Sequence, residues 1–586
     1  MKNAFFLILV ILLVSAGFLF GYTPVQRVDG LLPTYGAERP AVPDNPPPTD
    51  SICLVFSGVD YGGNFSSPQN YVNAKHIANV IVGSYYFPVV IWETGASWSG
   101  ASLFSYWDDM FKFWSYPDSF TTNQGQDTGR PAVCSDSHGN LHFAWHQTGS
   151  PDGYETFYTR AILDTSSGVI QYNVERPGQF ISSTNGEPQT FPAIAIYQDT
   201  LIMVVDNHGD IGSEHAISYN YSTDGGTTWA GDADAYDHGS VMTGSWILPS
   251  VAADPTSGDM WAVVNFDVDG DGSMDIFGLH WDAATNTWTT ETVAAATSMH
   301  PYACCNVVVD YNGVPHVIFQ ENLTTTGGAS GLSGWNQCGP AGTLYYTHRQ
   351  GGSWSTPQKI VMTSCVQRSY EAGYPSMGIA SDNTIYFSTT LPESASVDTG
   401  AYAPFNINYA ELSPYTGAVS FGGKVSNLPA NDTVNAIYAH ITYNVPLGGE
   451  VPGGSEGPGI TWSQMTNAAP PADIYYNHSD TLVGIAENEK VTDNLPVKLY
   501  QNYPNPVSGK TMIRFTIPKN TLISLNVYDI SGRLVKTLAK GIPDGTSYFV
   551  VWDGTDMNGN VVPGGVYLYS LKAGSFTQTR KLLFIH

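Results

Sequence analysis

Positive charge is scarce in this sequence. Lys and Arg total 23 against 51 Asp and Glu over 586 residues, a formal net charge of −28. Affinity for nucleic acid is built from Lys and Arg against phosphates, so that partner is excluded as a first reading. Charge of either sign is thin, at 13% against about 25% in ordinary soluble domains, which leaves no material for a long coiled coil. Apolar runs long enough for a membrane are also missing, with one exception at residues 4–20, behind Lys2. A positive start, an apolar stretch and then polar sequence predict a secretory signal peptide over 1–21. Cleavage after Ala16 or Gly21 would leave no stable transmembrane span; an uncleaved anchor is the alternative. Cysteines number six and include no CxxC pair, so zinc and thioredoxin-like chemistry have no support. An even set in an exported chain predicts disulfides, most economically two bridges within 304–365. What is plentiful is aromatic and turn-forming sequence: 35 Tyr, 25 Phe, 14 Trp, 60 Gly and 37 Pro. Such a composition points to an extracellular β protein.

Residues 22–50 are a Pro-rich linker ending in Pro46-Pro47-Pro48, and a second linker is expected at 486–496. Between them, over 51–485, apolar and polar residues alternate and turns recur every 8 to 12 residues or so, the pattern of many short strands. One trio repeats seven times. A small apolar strand, often after Pro, opens each copy, as at Pro131, Pro192, Pro249 and Pro375. An aromatic-rich strand with a polar end follows, and then a third strand entered at Phe104, Phe157, Ile217, Phe277, Leu344, Ile407 and Ile474. Seven such units predict a β-propeller, six or eight blades being the neighbouring counts. The seventh copy has no obvious fourth strand, so the strand-like segment at 52–57 is expected to close the ring in the last blade.

Ser222-Thr223-Asp224-Gly225-Gly226-Thr227-Thr228-Trp229 resembles the Asp-box of sialidase-like propellers, which implies a structural turn on the rim. Sialidase chemistry itself is poorly supported. That family needs three arginines around a carboxylate, and its opening Arg-Ile-Pro has only Gly129-Arg130-Pro131 as a counterpart here.

Asp267, Asp269, Asp271, Ser273 and Asp275 stand at alternate positions, with Gly270 and Gly272 between. That spacing can wrap one hard cation in oxygen ligands, and it resembles the calcium loops of integrin-type propellers and thrombospondin repeats. Calcium is the expected cofactor; a solvated acidic turn is the alternative. The polar ends of the second strands are expected to gather on one face around the channel. Glu93, His146, Asp206 and Glu321 are the catalytic candidates, and Trp92, Trp145 and His208 the candidate ligand contacts.

The tail reads Leu499-Tyr-Gln-Asn-Tyr-Pro-Asn-Pro506, then Val551-Trp-Asp-Gly554, Gly565-Val-Tyr567 and Arg580-Lys581. It resembles the C-terminal sorting domain of type IX secretion cargo, which implies an Ig-like sandwich over 497–586 and the type IX machinery as partner. The chain is thus read as all-β: a seven-bladed propeller followed by a small sandwich, exported through the periplasm to the cell surface or beyond. Binding of a polysaccharide or surface component is the expected role, with a glycan-degrading enzyme acting at the mouth as the alternative.

Overall fold

A computed structural model describes residues 52–59, 74–82, 85–94, 101–108, 113–115, 117–121, 128–150, 153–165, 170–181, 189–208, 215–237, 247–266, 274–296, 302–322, 342–360, 373–392, 405–426, 428, 434–446, 457–466, 469–478, 497–499, 502, 505, 507–508, 511–518, 521–541 and 547–585. The chain divides into one unit of Pro40–Gly484 and a second that contains Ile485–His586. The expected signal peptide and Pro-rich linker, residues 1–50, lie outside the described residues.

Seven sheets make up the first unit among the described residues, antiparallel throughout except that Asn444–Val445 joins Gly373–Ala380 in parallel. In chain order blade 1 spans 77–119, blade 2 128–181, blade 3 189–237, blade 4 250–294, blade 5 302–359, blade 6 373–424 and blade 7 434–478. Blade 7 takes its outer strand from the N-terminal side. Ile52–Val59 pairs antiparallel with Ala469–His478, Ile52 opposite Asn477 and Val59 opposite Ala472. The segment expected at 52–57 does close the last blade.

The cores explain why the sheets form a ring. Apolar side chains fill the space between consecutive sheets: Ala144 and Tyr158 with Ile194 and Leu201 for blades 2 and 3, Ile217 with Leu279 for blades 3 and 4, and Val263 with Phe319 for blades 4 and 5. Ile318 with Phe387 and Ile407 with Trp462 continue the series. A last cluster joins Ile474 and Tyr476 of blade 7 to blades 1 and 2. Each sheet thereby buries both faces against its neighbours, which a single flat sheet cannot do.

Two blades carry the same buried polar device. In blade 2, His142 stands 3.4 Å from Asp136 Oδ2 through Nε2 and 2.7 Å from the Tyr158 hydroxyl through Nδ1. In blade 5, His316 relates to Asp310 and Tyr346 at the same two distances. The following blade is tied in, because the Tyr415 hydroxyl donates to Asp310 Oδ2 and its backbone N–H donates to the Tyr346 hydroxyl at 3.2 Å.

The Asp224 turn is built as its residues suggest. Asp224 accepts the Thr228 N–H at 2.8 Å and the Thr228 hydroxyl at 2.6 Å, which hold its carboxyl down at about 2. Gly226 sits at φ 83°, and a Cβ there would meet the Tyr158 hydroxyl at 1.9 Å. Trp229 packs edge-on against Tyr158 of blade 2, so the turn reaches onto the preceding blade.

Cysteine chemistry departs from expectation. Cys304 is disulfide-bonded, whereas Cys134 and Cys305 are thiols. With Cys305 unbridged, two disulfides cannot form within 304–365.

The second unit is a β-sandwich of a three-stranded and a five-stranded sheet. Leu499, Ile513, Phe515, Leu525, Trp552, Tyr569 and Leu571 are fully buried between them. Its Trp-Asp-Gly motif is structural: Trp552 lies in that core, and Asp553 accepts Lys536 Nζ at 2.7 Å.

Candidate functional site

Five inner strands contain a bulge at the same place. Pairing with the second strand slips between Gly129 and Ala132, Thr190 and Ala193, Ala303 and Asn306, Gly373 and Ser376, and Ile437 and His440. The first bulged residue of each is left-handed: Arg130 at φ 52°, Phe191 at 53°, Cys304 at 47°, Tyr374 at 52° and Tyr438 at 56°. Non-glycine residues adopt that conformation at a cost, and at the rim of a sheet a bulge re-aims a side chain. In three of the five the next residue is proline, Pro131, Pro192 or Pro375. Proline gives up a ladder N–H that a bulge leaves unused. The strands therefore begin two or three residues before the proline that marked them in the sequence.

Register then assigns the polar ends of the second strands. Glu93, His146, Asp206 and Gln320 are buried, and each reaches toward the entry of the next blade. Glu93 Oε2 accepts the Arg130 N–H at 2.8 Å, and Gln320 Oε1 accepts the Tyr374 N–H at 3.1 Å. Asp206 Oδ2 accepts the Ile247 N–H at 3.3 Å, while the His146 ring meets Phe191 edge-on at 6.3 Å. These side chains latch one blade to the next, which the sequence did not reveal because the latch joins residues about 40 to 55 apart.

At one point the latch carries a charge. The half-buried Arg130 places Nη1 2.8 Å from His146 Nε2 and its guanidinium 4.6 Å from the Phe191 ring centre. Arginine only donates, so Nε2 accepts and the His146 proton belongs on Nδ1. Burial first, and Arg130 second, hold His146 well below the usual imidazole range. A Cβ on Gly129 would crowd this group, lying 2.8 Å from Glu93 Oε2 and 3.5 Å from His146 Nε2. Arg130, Phe191, Ala74, His76 and Leu248 line a shallow cleft there. On the other side of the ring Tyr374 and Tyr438 pack at 4.5 Å with their hydroxyls 3.4 Å apart.

The other expected site residues fall elsewhere. Trp92 and Trp145 are fully buried among the apolar side chains of blades 1, 2 and 7, so neither indole is open to a ligand, a correction to their expected role as ligand contacts. The cause is register: each lies one residue before the polar end, on the opposite face of its strand. Glu321 is one residue beyond Gln320 and accepts the Tyr345 hydroxyl at 3.0 Å, away from Glu93 and His146. The His208 side chain lies outside the described ones. So do Asp267, Asp269, Asp271 and Ser273 of the acidic loop. Asp275 is buried, and its Oδ1 accepts the Ala296 N–H at 2.6 Å.

Comparison with known proteins bears first on the tail. Residues 501–585 match the family described as the secretion system C-terminal sorting domain. This is a secretion tail. It implies export to the outer cell surface or the extracellular space and a meeting with the secretion machinery. No curated protein matches the chain. Among solved structures, an ulvan lyase described as a new family of polysaccharide lyase is similar at 12% identity and TM-score 0.46, covering 73% of this chain and 95% of that one. The polysaccharide lyase Uly1 is similar at 11% identity and TM-score 0.41, over 74% and 100% of the two chains. The NanB sialidase of Streptococcus pneumoniae is similar at 12% identity and TM-score 0.38, over 74% and 70%.

Proposed function

We propose that this exported propeller binds a polysaccharide at its mouth, and that Arg130 reads an acidic group on the sugar. The observation that supports this is the placement of Arg130. Three adjacent blades contribute to holding one cation at the mouth: Glu93 takes its N–H, His146 takes Nη1, and Phe191 covers the guanidinium face. A guanidinium at this place carries its donors in the planar fork that suits carboxylate and sulfate. Binding is favoured over glycoside hydrolysis because Glu93 and Asp206 each have one carboxylate oxygen engaged by the backbone N–H of a residue that enters the next blade. Calcium held by Asp267, Asp269, Asp271, Ser273 and Asp275 belongs to the same proposal, as a structural ion.

A glycan array of acidic and neutral polysaccharides tests the reading. Acidic members should bind, and Arg130→Gln should weaken them roughly tenfold to a hundredfold, the worth of one charge-assisted contact. Equal binding of neutral and acidic glycans, or none at all, would remove the assignment. Release of products from a bound glycan would move the protein to the enzyme class.

A further inference from the structure

Charge divides unevenly along the chain. Residues 497–586 hold ten Lys and Arg against four Asp and no Glu, a net of +6 in a chain of −28. Residues 1–496 therefore carry −34. Apolar exposure is uneven too. Eight of the eleven exposed large apolar side chains among the described residues belong to the tail. Exposed apolar side chains scattered singly mean little, but gathered into one patch they mark a place where something binds.

Register does gather them. Leu534–Gly541, Ile523–Asp529, Gly565–Ala573 and Phe576–Ile585 lie side by side in the five-stranded sheet of the tail. Leu525, Val527, Tyr569, Leu571 and Leu582 point into the sandwich core, so the residues that alternate with them face outward. Pairing sets the outward residues in rows across the strands. In one row Lys540 stands opposite Ser524, Ser524 opposite Lys572, and Lys572 opposite Thr577. Towards the other end Leu534 stands opposite Tyr528, Tyr528 opposite Leu568, and Leu568 opposite Lys581. The next row pairs Val566 with Leu583. All three lysines are exposed, as are Leu534 at 46%, Val566 at 38% and Leu583 at 39%. No Asp or Glu occupies an outward position on these four strands. Asp529, at a strand end, is held by Arg533 at 2.9 Å, and Asp553 by Lys536 at 2.7 Å.

A flat face that is basic at one end and apolar at the other fits a protein surface with carboxylates and apolar anchors. The apolar rows supply contact area, and the lysines supply register and steering. We propose that the outward face of this sheet is the docking surface of the tail, and that its partner is an acidic protein surface of the secretion machinery. Such a partner repels the −34 of residues 1–496 and attracts the tail, so it selects the tail as its handle. The proposal rests on the sorting role of the tail and not on the glycan reading.

Delivery of the full chain in its own host, read by protease shaving of intact cells, tests this. Lys540→Glu/Lys572→Glu/Lys581→Glu should lower the surface fraction roughly tenfold or more and leave folded chain in the periplasm. Arginine at the same three positions should deliver normally, as should Lys498→Glu on the three-stranded sheet. Val566→Ser/Leu583→Ser should also lower delivery. Normal delivery of the triple Glu chain, while deletion of 497–586 stops it, would refute the face and leave the sorting role intact. Normal delivery of both would remove the sorting role itself. Should circular dichroism of the recovered triple Glu chain show that it has not folded, glutamine at the three positions decides: a fall in delivery is expected, and none refutes the face. Two other occupants would overturn the proposal. Acidic phospholipid vesicles that bind the unaltered chain and not the triple Glu chain would make this a membrane face. A dimer of the unaltered chain that the triple Glu chain loses, with delivery normal, would make it a contact between copies.

Discussion

Replacing Trp145 by alanine separates a core indole from a sugar platform. The ring is fully buried, stacked on Phe157 at 5.7 Å and 20°, and edge-on to Phe120 at 5.8 Å. The backbone of Gly178 comes so close that a Cβ there would stand 2.4 Å from Cη2 of the indole. Packing of this kind leaves nothing to fill the hole, and large aromatic-to-alanine changes in such places cost about 3–5 kcal/mol. The two ring pairs lie at the geometry that adds about 0.5–1.5 kcal/mol each beyond burial, so the upper half of that range is expected. Urea denaturation followed by tryptophan fluorescence and circular dichroism should show a markedly lower midpoint, and Trp145→Phe should recover part of the loss. Glycan binding measured well below that midpoint should be unaffected. A Trp145→Ala protein with the unaltered midpoint and weakened glycan binding would refute the reasoning and return the indole to the binding surface.

Acid should unfold the propeller through the Asp–His–Tyr devices. Burial holds His142 and His316 below the ordinary value of about 6.5, so the unfolded chain takes those protons first and stability falls as pH drops below that point. Burial works to raise Asp310, but hydrogen bonds from His316 and Tyr415 outweigh it and hold the group far below the carboxylate range. Its contribution is complete above about 3.9 and is lost as pH falls further, so Asp310→Asn should flatten the acid limb of melting temperature against pH. Deleting 497–586 should leave the propeller folded, since the sandwich has its own core, while surface delivery in the native host stops; normal delivery would contradict the sorting role. Chelation should lower the melting temperature, with a calcium excess of one hundred times Kd worth about 2.7 kcal/mol, and Asp269→Ala should remove the dependence; indifference to both would leave an acidic turn. Deleting residues 52–59 should collapse the ring into aggregating species, because blade 7 then exposes the edge of Ala469–His478; a soluble monomer with native circular dichroism would count against closure by that strand.

Much of the architecture was legible from local pattern. Alternation, the sevenfold trio and the lone strand at the N-terminal side of the repeats are short-range properties, and they led to seven blades closed by Ile52–Val59. The tail was legible for the same reason, since its motifs lie within one small domain. The candidate site was only half legible. Glu93 and His146 were picked out as polar strand ends, but nothing local says that Glu93 would serve the backbone of Arg130. Trp92 and Trp145, adjacent to them in sequence, point the other way because successive strand residues alternate faces.

What the sequence determined by itself was therefore the strand content, the repeat, the closure and the secretion tail, all set by periodicity and adjacency along the chain. Tertiary structure alone decided which side chains meet. The bulges throw Arg130 and Phe191 into the mouth, and the ring brings Lys75 to Asn306 and Ser376, more than 200 residues away. Such pairings depend on how seven sheets turn about one axis, and no window of sequence contains that angle.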